Sequence, residues 1–205
     1  DFWRLGLIMI LPIALYLFFF RRKTNAEPHV PSETGPQSGK LSSAFWIAWL
    51  GFVATISTEF ATTFWAAALV RDRTDASAAI STIAIMALGT GMGIGRFFGG
   101  RIMHKLSLDH QLLTILGLQF VGFFGIWLSH NLAISMVMLL LSGLGISMQF
   151  ALTSLRLISH SDGRPDLAIG RSSLAAGLAI GGAPFLLGVL GDQYGISRAY
   201  LMVPV

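Results

Sequence analysis

Between Asp109 and Arg156 the chain contains no Asp, Glu, Lys or Arg. Crossing a bilayer as a helix takes roughly 20 mostly apolar residues, so this block has room for two crossings. Burying such helices in a soluble protein would instead demand a large polar shell from the rest of the chain. That shell is missing: 12% of the 205 residues are charged and 54% are hydrophobic, against about 25% charged in an ordinary soluble domain. The chain therefore folds in lipid. In hydrocarbon every backbone amide must find a partner within the protein, which leaves helices or a closed barrel. Barrel strands need about 9–11 residues of inside/outside alternation, and no such alternation occurs. The expected fold class is an all-α, polytopic membrane bundle.

The apolar runs and their breaks give the organisation. A first span, within residues 1–20, stops at Arg21-Arg22-Lys23 and not at a small-residue cleavage site, so it does not read as a cleavable signal. Residues 21–41 are rich in Pro, Gly, Ser and Thr and read as a linker. A helical bundle is expected over 42–205, with spans at about 42–70, 76–104, 110–128, 132–158, 167–190 and a truncated one at 197–205. The chain reads as a piece of a longer protein, starting on its last N-terminal helix and ending inside another span.

Lys and Arg in short loops orient such a bundle. With the 21–41 linker in the cytoplasm, the inner side holds Arg21, Arg22, Lys23, Lys40, Arg96, Arg101, Lys105, Arg156, Arg164 and Arg171. The outer side holds only Arg4, Arg71, Arg73 and Arg198. The net charge of +4 is thus a consequence of topology, and nucleic acid is not an expected partner. Cysteine is absent, which excludes disulfides and thiolate metal sites, and neither a metal nor a cofactor is expected.

After the linker the spans echo one another: polar stripe, glycine-rich, apolar, then polar stripe and glycine-rich again. Two three-helix units of opposite orientation are the layout of inverted-repeat transporters. Gly91, Gly95 and Gly99 repeat at every fourth position, as do Gly177 and Gly181, so each set forms a small-residue face suited to close helix packing. That face serves either static packing within one bundle or a sliding surface between two halves.

At the inner end of the first glycine-rich span, 76–104, stands Gly95-Arg96-Phe97-Phe98-Gly99-Gly100-Arg101-Ile102-Met103-His104-Lys105. This resembles the loop signature of the major facilitator superfamily, in the copy that follows the eighth of twelve helices. The stretch from Gly182 to Gly195, with Pro184, Gly188 and Gly191, resembles the end of that family's eleventh helix. The 21–41 segment is similar to the family's long cytoplasmic connection. The resemblance implies helices six to twelve of a 3+3 inverted-repeat fold in the plasma (inner) membrane, with the N-terminal half of the same chain as partner. Gly95, Arg96, Gly99, Gly100, Arg101 and Lys105 would then belong to the loop motif and its gating. His104 stands where the family often has an acidic residue, so a carboxylate contact at this loop stays open.

Glu59 is the only acidic side chain deep inside a span. A charge at that depth costs about 2.5 kcal/mol or more, so the residue should face protein or water. Thr55, Glu59, Thr62 and Thr63 share a helical face through i, i+3 and i, i+4 spacings. Glu59 is either a proton or cation site, or a carboxyl neutralised by a neighbouring helix. In the 132–158 span Ser142, Gln149, Thr153 and Arg156 form a second stripe. The resemblance places both stripes at the central cavity, which makes Gln149 a solute contact or an interhelical hydrogen bond, and Arg156 a gate or a snorkelling charge. Gln119, alone on an apolar helix, reads as structural.

A secondary active transporter of a small solute, working by alternating access and coupled to protons through Glu59, fits these features best. An enzyme would need clustered catalytic groups, yet the five histidines are scattered among the loops. A channel would need a charged ring or filter repeat, and none is present in the sequence.

Overall fold

The computed structural model describes residues 37–203, so the first span and most of the linker lie outside the described residues. Within them the chain forms α1 (Ser43–Thr74), α2 (Ala78–Met103), α3 (Leu108–Leu128), α4 (Leu132–Ile146), α5 (Gln149–Ser159), α6 (Pro165–Tyr194) and a short α7 (Ile196–Ala199), followed by a 3-10 turn at Tyr200–Met202. Counting α4 and α5 together as Leu132–Ser159, five of these segments are long and apolar enough to cross a membrane. Among the described residues there is no strand.

Polar residues in the loops start the helices. Ser42, Ser77 and Ser107 accept from the backbone N–H three residues on, at 3.3–3.4 Å. Asn131 takes both Ala133 N–H and Ile134 N–H. Each cap satisfies donors that would otherwise be orphaned where the chain turns back into lipid. Pro165 opens α6 at a position where its missing N–H is no loss. Asp75 closes α1 in the left-handed region at φ 51°.

The α2–α4 and α3–α4 interfaces are built on glycine. A Cβ on Gly91 would collide with the Leu140 carbonyl and stand 3.0 Å from Leu144 N; a Cβ on Gly143 would collide with the Leu88 carbonyl and stand 3.0 Å from Met92 N. The contact is reciprocal: each glycine receives the backbone of the other helix. On the opposite side of α4, Gly145 lies against the Gln119 and Ile115 backbone of α3, and Gly122 of α3 lies against Ser142 and Met138. No apolar force drives helices together in lipid, so close backbone approach and the dispersion it allows hold this three-helix layer.

α1 runs past α6, where Phe45, Phe52 and Ile56 bury against Ala168, Ala175 and Ala179. Near the far end of both helices, Trp65 donates to the carbonyl of Pro184 at 2.9 Å and fills the space over Gly188. There α1, α2, α3, α4 and α6 converge on a core containing Leu69, Leu88, Phe123, Leu139 and Leu187, closed by Tyr200 stacked on Phe123 at 5.4 Å.

Three features differ from the apolar-run reading. The 132–158 span is two helices, because the ladder is interrupted at Ser147-Met148, where Met148 adopts φ −114°, ψ 1°. The 42–70 span continues to Thr74, carrying Arg71 and Arg73 as its last turn. Within 197–205 the described residues form one short helical turn and then the 3-10 turn.

Candidate functional site

Glu59 sits midway along α1, and its side chain is 12% exposed. Facing it from α2 is Arg96, whose Nη2 lies 3.7 Å from Glu59 Oε1. That separation allows charge attraction but exceeds N–H···O hydrogen-bond range. Arg96 Nε donates to the Ser147 carbonyl at 3.3 Å. This carbonyl lies at the break between α4 and α5, where the helical ladder is interrupted. One guanidinium therefore ties α1, α2 and the α4–α5 break together.

Arg96 points this way because of its neighbour in sequence. Gly95 is turned onto α4, where a Cβ would meet Ser147. The next residue lies about 100° further round the helix, which swings Arg96 off the packed face and toward α1. The result is a cleft of about 520 Å³ lined by Ile56, Glu59, Phe60, Arg96, Ser147, Met148, Phe150, Ala151 and Ile180. Apart from the Glu59–Arg96 pair its walls are mostly apolar.

The threonines beside Glu59 do not share its cleft. Thr63 Oγ1 donates to the Glu59 backbone carbonyl at 2.8 Å, Thr55 Oγ1 donates to Phe52 at 2.9 Å, and Thr62 is buried. Thr55 lines a second cavity, about 220 Å³, together with Thr58, Gln119 and Phe123.

The α4–α5 stripe faces α3 and not Glu59. Ser142 packs against Gly122. The buried Gln149 donates Nε2–H to the Gln119 side-chain carbonyl, and Thr153 Oγ1 donates to Gln149 O at 2.6 Å. Arg156 forms an ion pair with Asp109 at the start of α3. Among the described residues Glu59 therefore lies in a different cleft from the α4–α5 stripe, while Thr55 comes nearer to that stripe through the cavity it shares with Gln119. The Gln119–Gln149 partnership was within reach of the sequence: each is the only amide away from the ends of its apolar span, and a buried amide seeks a partner.

Among the motif residues, Gly99 lies over Met148, Arg101 stacks on its own helix neighbour Phe97 at 5.5 Å, and Lys105 is exposed. Nothing among the described residues lies within 4 Å of a Cβ placed on Gly100, Gly177 or Gly181. The residues that sequence reasoning did not connect with Glu59 are Arg96, Ser147 and Phe150. For Arg96 there was a signal: a charge almost two turns inside a helix end, adjacent to a packing glycine.

The family model described as Major Facilitator Superfamily matches residues 2–165, a stretch that includes all of the α1–α2 cleft helices and the α4–α5 break. No curated protein and no solved structure matches the chain. The chain belongs to the Major Facilitator Superfamily, a family of membrane transporters.

Proposed function

We propose that this protein is a secondary active transporter that moves a small solute by alternating access and couples that movement to protons at Glu59. The observation that carries this reading is the Glu59–Arg96 pair, held 3.7 Å apart in an open cleft between α1, α2 and the α4–α5 break. A carboxylate in hydrocarbon is costly unless it is paired or protonated. Glu59 has both options, since Arg96 balances the charge of the carboxylate and a proton converts it to the neutral carboxyl. A switch between the two alters what holds α1 to α2 and to the break, and so supplies a two-state element that a proton gradient can bias.

The loops at residues 21–41, 100–109 and 157–166 are assigned to the cytoplasm of the plasma (inner) membrane, because they carry the Lys and Arg excess. Gln149 and Arg156 are assigned to holding α3 against α5. The reading is tested with the full-length protein in proteoliposomes, by screening solutes for accumulation with and without an imposed pH gradient. Accumulation of a solute only when the gradient is present is expected. A solute that only equilibrates, with or without the gradient, would count against coupling.

A further inference from the structure

We infer that Arg96 is the recognition point for an amphipathic organic monoanion, a carboxylate with an apolar body, and that Glu59 competes with this anion for the same guanidinium. The inference deepens the transporter reading and rests on it. Arginine offers five N–H donors in a planar fork suited to a carboxylate. Among the described residues only Nε is committed, to Ser147 O, while the Glu59 contact is too long to be a hydrogen bond. The remaining donors are thus available.

Exposure decides the sign of the solute. The Arg96 side chain is 61% exposed and that of Glu59 12%, so a solute entering the cleft meets the cation before the carboxylate. Phe60, Phe150, Met148 and Ile180 supply apolar walls for its body, and the space of about 520 Å³ falls in the usual range for small-molecule sites.

Among the described residues Glu59 and Arg96 are the only charged or titratable groups lining the cleft, whether from α1, α2, the α4–α5 break, α5 or α6. Ionised Glu59 draws on the guanidinium; protonated Glu59 releases it. Anion affinity therefore rises as pH falls, and the linkage is reciprocal. One proton on Glu59 and one anion on Arg96 add no net charge to the cleft, so the two travel together electroneutrally.

The test uses purified full-length protein and three probes that differ in headgroup: phenylacetate, phenylacetamide and phenethylammonium. Equilibrium binding is measured at mildly acidic and mildly alkaline pH. Phenylacetate should bind at least about tenfold more tightly than the other two, as expected for a charge-assisted contact, and less tightly at alkaline pH. Arg96→Gln should lose that preference, Arg96→Lys should keep part of it, and Glu59→Gln should hold the acidic-pH affinity at both pH values. Equal binding of all three probes to the wild type, no binding of phenylacetate, or an unchanged preference in Arg96→Gln would overturn the proposal. The headgroup comparison on the wild type decides the matter even where a variant fails to fold. Binding needs no gradient, so loss of gradient-driven accumulation with Arg96-dependent binding intact would remove only the coupling assignment.

Discussion

The reciprocal glycine contact between α2 and α4 makes a quantitative prediction. A methyl group at Gly91 would overlap the Leu140 carbonyl and stand 3.0 Å from Leu144 N, and one at Gly143 would overlap the Leu88 carbonyl and stand 3.0 Å from Met92 N. The obstructing atoms are backbone, so no rotamer change relieves the overlap and the helices must part by roughly 1 Å. A gap of that size forfeits a quarter to a half of the contact energy across the interface, and overpacking of this kind costs about 1–3 kcal/mol. Gly91→Ala and Gly143→Ala should each destabilise the protein by that amount. Once the helices have parted for one methyl, the second meets less resistance. The double variant should therefore lose clearly less than the sum of the singles, with a coupling of about 0.5 kcal/mol or more. Gly93→Ala is the control, because nothing lies within 4 Å of its Cβ position; it should be neutral or slightly stabilising through helix propensity. Thermal unfolding of the purified full-length protein in one detergent reads all four variants. Strict additivity in the double variant, or a Gly91→Ala protein as stable as Gly93→Ala, would refute the close-approach argument.

Two further outcomes concern the buried amide pair and the membrane topology. Gln119→Leu or Gln149→Leu alone strands a buried amide and should cost about 1–3 kcal/mol, while the double leucine variant should recover much of the loss; unfolding of the same purified protein checks this. Single cysteines placed at Lys40 and Leu106 in this cysteine-free background should resist an impermeant thiol reagent in intact cells, whereas one at the exposed His130 should react.

The legible part of this structure was whatever a single helix specifies about itself. The apolar runs gave the membrane helices, and the Gly91/Gly95/Gly99 spacing gave a packing face that does receive α4 residues. The break at Ser147-Met148 was not legible, since both residues are tolerated within helices and no Pro or Gly stands there. Nor was the partner of Glu59. A helical wheel assigns Glu59 an angle on α1, but which helix lies at that angle is fixed by how α2 docks on α4. The spacing of Gly177 and Gly181 matches that of Gly91 and Gly95, yet nothing among the described residues approaches them. Periodicity marks a face that can be approached closely and leaves open what approaches it. The two polar stripes show the same limit: hydroxyls at 55, 63 and 153 turn back onto their own helix carbonyls, a local bond that shields them from neighbours.

The central claim is that Glu59 carries the coupling proton, and Glu59→Gln tests it most directly. Glutamine preserves size and hydrogen bonding but does not titrate, and it leaves Arg96 without a carboxylate to pair with. In proteoliposomes containing the full-length variant, solute exchange across the membrane should continue while accumulation driven by a pH gradient disappears. Gradient-driven accumulation at the wild-type level in that variant would contradict the account and place the coupling proton on another group.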